Sequence, residues 1–121
     1  MLPQSHRLTR REDFRRVIRG GSKASSTTVI VHGWLVGPSG TDQAAVEPAR
    51  VGITVNRAVG GSVVRHRVAR QIRHIVAGHL KELPPGSLWV IRALPAAAHG
   101  PLTDDIQGCL TKVLRLRAGV K

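Results

Sequence analysis

Between Asn56 and His79 the chain reads NRAVGGSVVRHRVARQIRHIVAGH, a glycine-rich turn followed by a helical repeat that separates charge from apolar surface. At about 100° per residue, Arg65, His66, Arg67, Arg70, Arg73 and His74 gather on one half of the helical wheel. Val64, Val68, Ile72, Ile75, Val76 and Leu83 take the other half. Such a stripe must be buried against another element, and a sheet is the natural support. The charged heads then stay in water, where a phosphate backbone is their counterpart.

The turn before the helix carries the same chemistry. Gly60 and Gly61 permit backbone angles that a side chain forbids, and Ser62 is placed to cap the first-turn amides. With the positive end of the helix dipole, and with Arg57 and Arg65 beside them, those amides form an anion site. An ordinary loop with a solvated basic face is the plainer alternative. Against it stands the complete absence of carboxylates between Asn56 and Lys81.

At 121 residues the chain is expected to be one RNA-binding domain, residues 1–121, with a modest core. Nineteen Lys plus Arg against seven Asp plus Glu leave a net charge of +12. Such a charge draws polyanions and opposes self-association. No apolar run approaches the roughly 20 residues of a membrane span, and the start lacks a signal-peptide pattern. A cytoplasmic protein without a membrane partner is implied, and no protein partner is evident. Cys109 is the only cysteine, which excludes an internal disulfide and suits a small buried hydrophobe spaced with Ile106 and Val113.

Thr9 and Glu12 make a capping box for a first helix over about residues 10 to 19, with Phe14, Val17 and Ile18 on its apolar stripe and Gly20-Gly21 ending it. Thr27 to Val36, Val51 to Val55 and Ser87 to Leu94 read as strands. The polar stretch GPSGTDQAAVEP, residues 37–48, is expected to be a flexible hairpin loop. Thr103 is placed to cap a last helix whose Ile106, Leu110, Val113 and Leu114 share a face. Helices at both ends and one between strands predict an α+β domain with the helices on one face of a sheet.

The chain offers little catalytic chemistry. Glu12-Asp13 and Asp104-Asp105 fall in first helical turns, where they favour the dipole, and adjacent helical residues point apart. The six histidines show no HxxxH spacing and no Cys-His ligand spacing. Walker, GxGxxG and nucleophile-elbow motifs are absent. No catalytic residue and no metal ligand is therefore assigned to the chain. A phosphate-binding face without catalytic groups suits a partner of an RNA that performs the reaction.

The turn and helix resemble the signature of the bacterial ribonuclease P protein subunit, in which a Gly-Asn-Ala turn precedes Arg-Asn-Arg, Lys-Arg and a further Arg. Gly60 and Val63 match the turn, while Arg65, Arg67, Arg70, Ile72 and Arg73 match the helix. Gly61, His66 and Ala69 depart from the usual Asn, Asn and Lys. The likeness extends to RLTRREDFRRVIRGGSK, to RVGITVNR and to SLWVIRALPAA with its amphipathic tail, leaving out only residues 37–48.

This resemblance implies the order αβββαβα, with an extra short strand near residues 22–26, a central mixed sheet and a left-handed βαβ crossover. Related folds occur in some ribosomal proteins and in domain IV of elongation factor G. It further implies a subunit of a ribonucleoprotein endonuclease that removes the 5′ leader of precursor tRNA. RNA carries the catalytic groups there and binds most of the Mg²⁺.

Contact with the catalytic RNA is accordingly expected at Arg57, Gly60, Ser62, Arg65, His66, Arg67, Arg70 and Arg73. The resemblance implies that the leader of precursor tRNA meets Phe14, Arg10, Arg11, Arg15 and Ile18, in a cleft between the first helix and the sheet where the family uses aromatic side chains. Arg16 belongs to the same basic run. Ile18 and either Val31 or His32 occupy positions where other members often carry aromatics, so stacking capacity is reduced. Phe14 serves equally well as a core side chain, and the arginines as a solvated face. Trp34 and Trp89 read as core or sheet-surface residues.

A small ribosomal protein, or another rRNA-binding protein, shares the size and the charge and is the leading alternative. A helix-turn-helix DNA regulator is opposed by the strands flanking the basic helix. A stand-alone nuclease is opposed by the missing acids.

Overall fold

Alternation along the strands of the computed structural model sorts side chains onto two faces of one sheet, and helices cover both. Residues 6–8, 10–34 and 49–117 are described. They form α1 (Arg11–Gly20), β1 (Ser22–Ser25), β2 (Val29–Trp34), β3 (Arg50–Val55), α2 (Ser62–Ala77), β4 (Leu88–Ala93) and α3 (Leu102–Arg117). Short 3-10 turns lie at Leu80–Glu82 and Pro95–Ala98. The αβββαβα order is the expected one. Strands are arranged β1-β2-β4-β3, antiparallel except for β3 and β4, which run parallel and are joined through α2.

One face presents Ala24, Val29, Val31, Val51, Ile53, Trp89, Ile91 and Ala93. Against it pack Val68, Ile72 and Val76 of α2 with Ile106, Cys109, Leu110 and Val113 of α3. Trp89 is wholly buried, and its indole N–H donates to the Ser87 hydroxyl at 2.8 Å. Cys109 is a buried free thiol, and burial raises its pKa. At the edge of this layer the Asp105 carboxylate accepts the Thr28 hydroxyl at 2.6 Å and the Thr28 amide at 3.2 Å, tying α3 to the start of β2.

The other face carries a smaller cluster of Leu8, Val17 and Val90, joined by Phe14, Trp34 and Leu88. Helix α1 lies here, so the expectation of helices on one face is corrected. Its apolar stripe, Phe14 and Val17, packs on Val90 and Leu88 of the sheet with Leu8 and Trp34. Gly52 makes the fit possible, since a Cβ there would collide with the Phe14 ring. Arg16 lies over the half-buried Trp34 at 5.9 Å. The edge of β3 is partly closed by the preceding segment, where Leu8 donates its amide to the Val51 carbonyl at 3.0 Å.

One helix start departs from expectation, and the other expected cap lies outside the described residues. Thr9, half of the expected capping box, lies outside the described residues, as does the loop expected over 37–48. The first bonds of α1 converge on the Arg10 carbonyl, which accepts the Asp13 and Phe14 amides at 3.1 and 3.2 Å. In α3 the Pro101 carbonyl accepts the first helical bond from Asp105, so Thr103 falls inside the first turn and is not the cap.

His32 is 4% exposed on the face beneath α1, and neither ring nitrogen has a hydrogen-bond partner. It is paired across the sheet with Lys23 and Val90. Burial first, then Arg92 and Lys23, lower its pKa from 6.5. Below that value the unfolded chain takes up a proton that the folded ring refuses. His32 is therefore neutral to stability above the unfolded pKa and opposes folding increasingly as the pH falls beneath it. Urea midpoints should drop between about pH 7 and pH 5, and His32→Leu should flatten that drop. Identical slopes for the two chains would mean that the folded imidazole titrates normally.

Candidate nucleic-acid interface

Three fully buried residues orient α2. Val68, Ile72 and Val76 are sealed against the sheet, which leaves His66, Arg67, Arg70, Arg73 and His74 exposed and Arg65 half-buried. No acidic residue occupies the first turn. Leu83 is buried as expected but lies beyond the helix, after the 3-10 turn. One arginine is engaged by the fold and another is partly buried. Arg67 donates to the Ala98 carbonyl at 3.1 Å, and the Arg65 Nε is buried without a partner.

The preceding turn is built by Asn56, whose side-chain oxygen accepts the Ala58 amide at 3.0 Å. Gly60 follows with φ of 156°, and a Cβ there would press on Val64. Gly61 is the N-cap, its carbonyl accepting the Arg65 amide at 2.9 Å, and no side chain caps the helix. Ser62 is thus the first helical residue, and the expectation that it caps is corrected. The carbonyl that starts the helix belongs to Gly61, which moves the Ser62 hydroxyl past the capping position. The first-turn amides keep their anion-binding capacity next to the exposed Arg57. Val63, 81% exposed, adds an apolar surface at the same end.

The α1 residues meet this helix at one point. Arg10, Arg11 and Arg15 are exposed, Ile18 is 41% exposed, and Phe14 is half-buried. Phe14 and Ile18 stand four apart on one stripe. Phe14 and Arg73 together line a hollow of about 170 Å³ with Arg7, Leu8, Val51, Gly52 and Ile53. The ring expected to meet the leader and the last arginine expected to meet the catalytic RNA are therefore neighbours. Val31 is buried in the main core, so of the two candidates Val31 and His32, only His32 lies on the α1 side.

Arg92 and Lys23, not among the residues expected here, also lie on the α1 side of the sheet. Arg92 shares the strand parity of Val90, which sequence could show, whereas Lys23 is placed here by its pairing with His32, which only the register reveals. Among the described residues no group of three or more His, Cys, Asp or Glu could hold a metal ion. Also among them, no helix is long and apolar enough to cross a membrane.

Known proteins with this sequence pattern are informative. A family model described as Ribonuclease P matches residues 2–116. The ribonuclease P protein component of Streptomyces bikiniensis is 43% identical over 119 residues, covering 94% of this chain and 96% of the relative. That of Corynebacterium diphtheriae is 42% identical over 120 residues, covering 97% and 100%. None of these favours the ribosomal alternative.

Among solved structures, the Staphylococcus aureus RNase P protein superposes with a TM-score of 0.67 at 23% identity, covering 92% of this chain and 94% of its own. The Thermotoga maritima protein gives 0.67 at 21% identity, covering 90% and 96%. These two share the α+β fold. With the basic helix, its glycine turn and the full-length likeness in agreement, the chain belongs to the ribonuclease P protein family.

Proposed function

We propose that this chain is the cytoplasmic protein subunit of ribonuclease P, acting as one RNA-binding domain that joins the catalytic RNA to precursor tRNA and assists removal of the 5′ leader. One observation carries the reading. The outward face of α2 is a row of arginines and histidines without a carboxylate, held rigid by Val68, Ile72 and Val76.

On this reading Arg57, Gly60, Ser62, Arg65, His66, Arg67, Arg70 and Arg73 hold the catalytic RNA. Arg67 keeps its remaining N–H groups for phosphate while its bond to Ala98 fixes the side chain. The uncapped amides of the first α2 turn accept a second phosphate. Phe14 and Ile18 offer the leader an apolar strip, flanked by Arg10, Arg11 and Arg15 on its backbone.

Mg²⁺ supplies Lewis-acid chemistry and belongs to the RNA. The carboxylates of the described residues do not converge on a site: Asp105 serves Thr28, Glu82 pairs with His79, and Glu12 and Asp13 lie in the first turn of α1. The chain's own contribution is to lower phosphate repulsion and to fix the leader relative to the catalytic RNA.

The salt dependence of RNA binding tests the face. Log affinity should fall linearly with log salt, by about 0.7 to 0.9 per phosphate contacted. Arg70→Ala should reduce that slope by about one contact, whereas Lys112→Ala on the exposed side of α3 should not. Equal slopes for the Arg70 variant and the parent would place the interface elsewhere.

Phe14 separates leader binding from packing. Phe14→Leu should weaken holoenzyme binding of leader-bearing tRNA by roughly 1 to 3 kcal/mol, with mature tRNA little affected. Equal losses for both tRNAs, accompanied by a lower Tm, would leave Phe14 as a packing residue over Gly52.

A further inference from the structure

Beside the arginine face, between α2 and the start of α3, runs a groove of about 710 Å³. That volume lies within the roughly 300 to 1,000 Å³ of small-molecule sites. Arg70, Gln71 and His74 form one wall, with Arg70 and His74 a helical turn apart. Thr103 and Asp104 form the opposite wall, and His99 stands in the turn between Pro95–Ala98 and α3. Ile75, Ala97 and Leu102 supply an apolar floor, the last two buried. The Arg67 bond to Ala98 ties the walls together at one end, and the Asp105 bonds to Thr28 anchor the start of α3.

The lining selects its ligand by chemistry. Arg70 and His74 suit a phosphate, and the floor suits the face of a flat ring. Thr103 and Asp104 accept hydrogen bonds from amino, imino or hydroxyl groups. A bare phosphate uses only the first of these features and is repelled by the Asp104 carboxylate. A purely apolar ligand leaves the cationic wall unused.

We infer that this groove binds one nucleoside phosphate, its phosphate on Arg70 and His74, its base over Ile75, Ala97 and Leu102, and its polar edge or ribose on Thr103 and Asp104. The unit comes either from an unstacked nucleotide of a bound RNA or from a free mononucleotide. Only the RNA source rests on the proposed function. Gln71, His74, His99, Thr103 and Asp104 lie outside the set assigned above to the catalytic RNA.

Imidazole resonances of the full chain, followed by NMR during titration with AMP, UMP and inorganic phosphate, test the site. Either mononucleotide should shift His74 and His99 saturably, at lower concentration than inorganic phosphate and ahead of His66. Thr103→Ala, which removes a hydrogen-bonding hydroxyl from the site, should weaken the mononucleotide response of His74 about tenfold. Loss of the response when catalytic RNA is added identifies the RNA as the source of the nucleotide. Persistence identifies a free mononucleotide. A response to inorganic phosphate as strong as to AMP, His66 moving in step, or no saturation at all would overturn the site. RNA affinity measured on the same samples separates the two readings, since intact RNA binding without a mononucleotide response removes the groove site alone.

Discussion

Everything that α2 presents to the outside depends on Val68, Ile72 and Val76, which solvent does not reach. Burying each contributes about 1.5 to 3 kcal/mol relative to exposure. This offsets the cost of holding five exposed cationic or imidazole side chains and a half-buried arginine along one rigid rod. Without that seat the same residues would be a charged flexible segment, attracted to RNA but fixing no register. Helix α2 also connects the parallel strands β3 and β4, so the seat determines the sheet order as well as the position of the arginines.

The two faces of the sheet divide the work. The larger core, with Trp89, Ile91, Ile106 and Val113 fully buried, supplies most of the apolar burial. The opposite face is covered only over its middle by α1 and keeps Lys23, Arg92 and the unpartnered His32 near a half-buried Phe14. A face so thinly covered is well suited to a ligand. The hollow shared by Phe14 and Arg73 brings the two basic helices to a common edge along β3.

Much of this was legible in the chain. The period of Val64 to Val76 located α2 and its buried stripe, and the β-branched runs located β2, β3 and β4 to within about two residues. The exposed basic residues of α2 followed from the same wheel. What escaped was set by backbone detail or by tertiary choice. Ser62 and Thr103 have capping chemistry, yet the Gly61 and Pro101 carbonyls start those helices one or two positions earlier. The face chosen by α1 depended on Gly52, whose missing side chain admits the Phe14 ring, and no periodicity announces such a recess. Strand parity would have separated His32 from Val31 had the register with β4 been known. The groove between α2 and α3 joins residues about thirty positions apart in sequence, beyond the reach of a local pattern.

On the proposed function, this chain assists an RNA catalyst by charge and placement and contributes no reacting group of its own. Leader removal from precursor tRNA at low Mg²⁺, measured for catalytic RNA with and without the purified chain and for the chain without RNA, tests it directly. The expected result is marked acceleration of the RNA reaction by the protein and no cleavage at the mature 5′ end by the protein alone. Failure of the folded chain to accelerate the RNA, or specific cleavage by RNA-free protein, would contradict it.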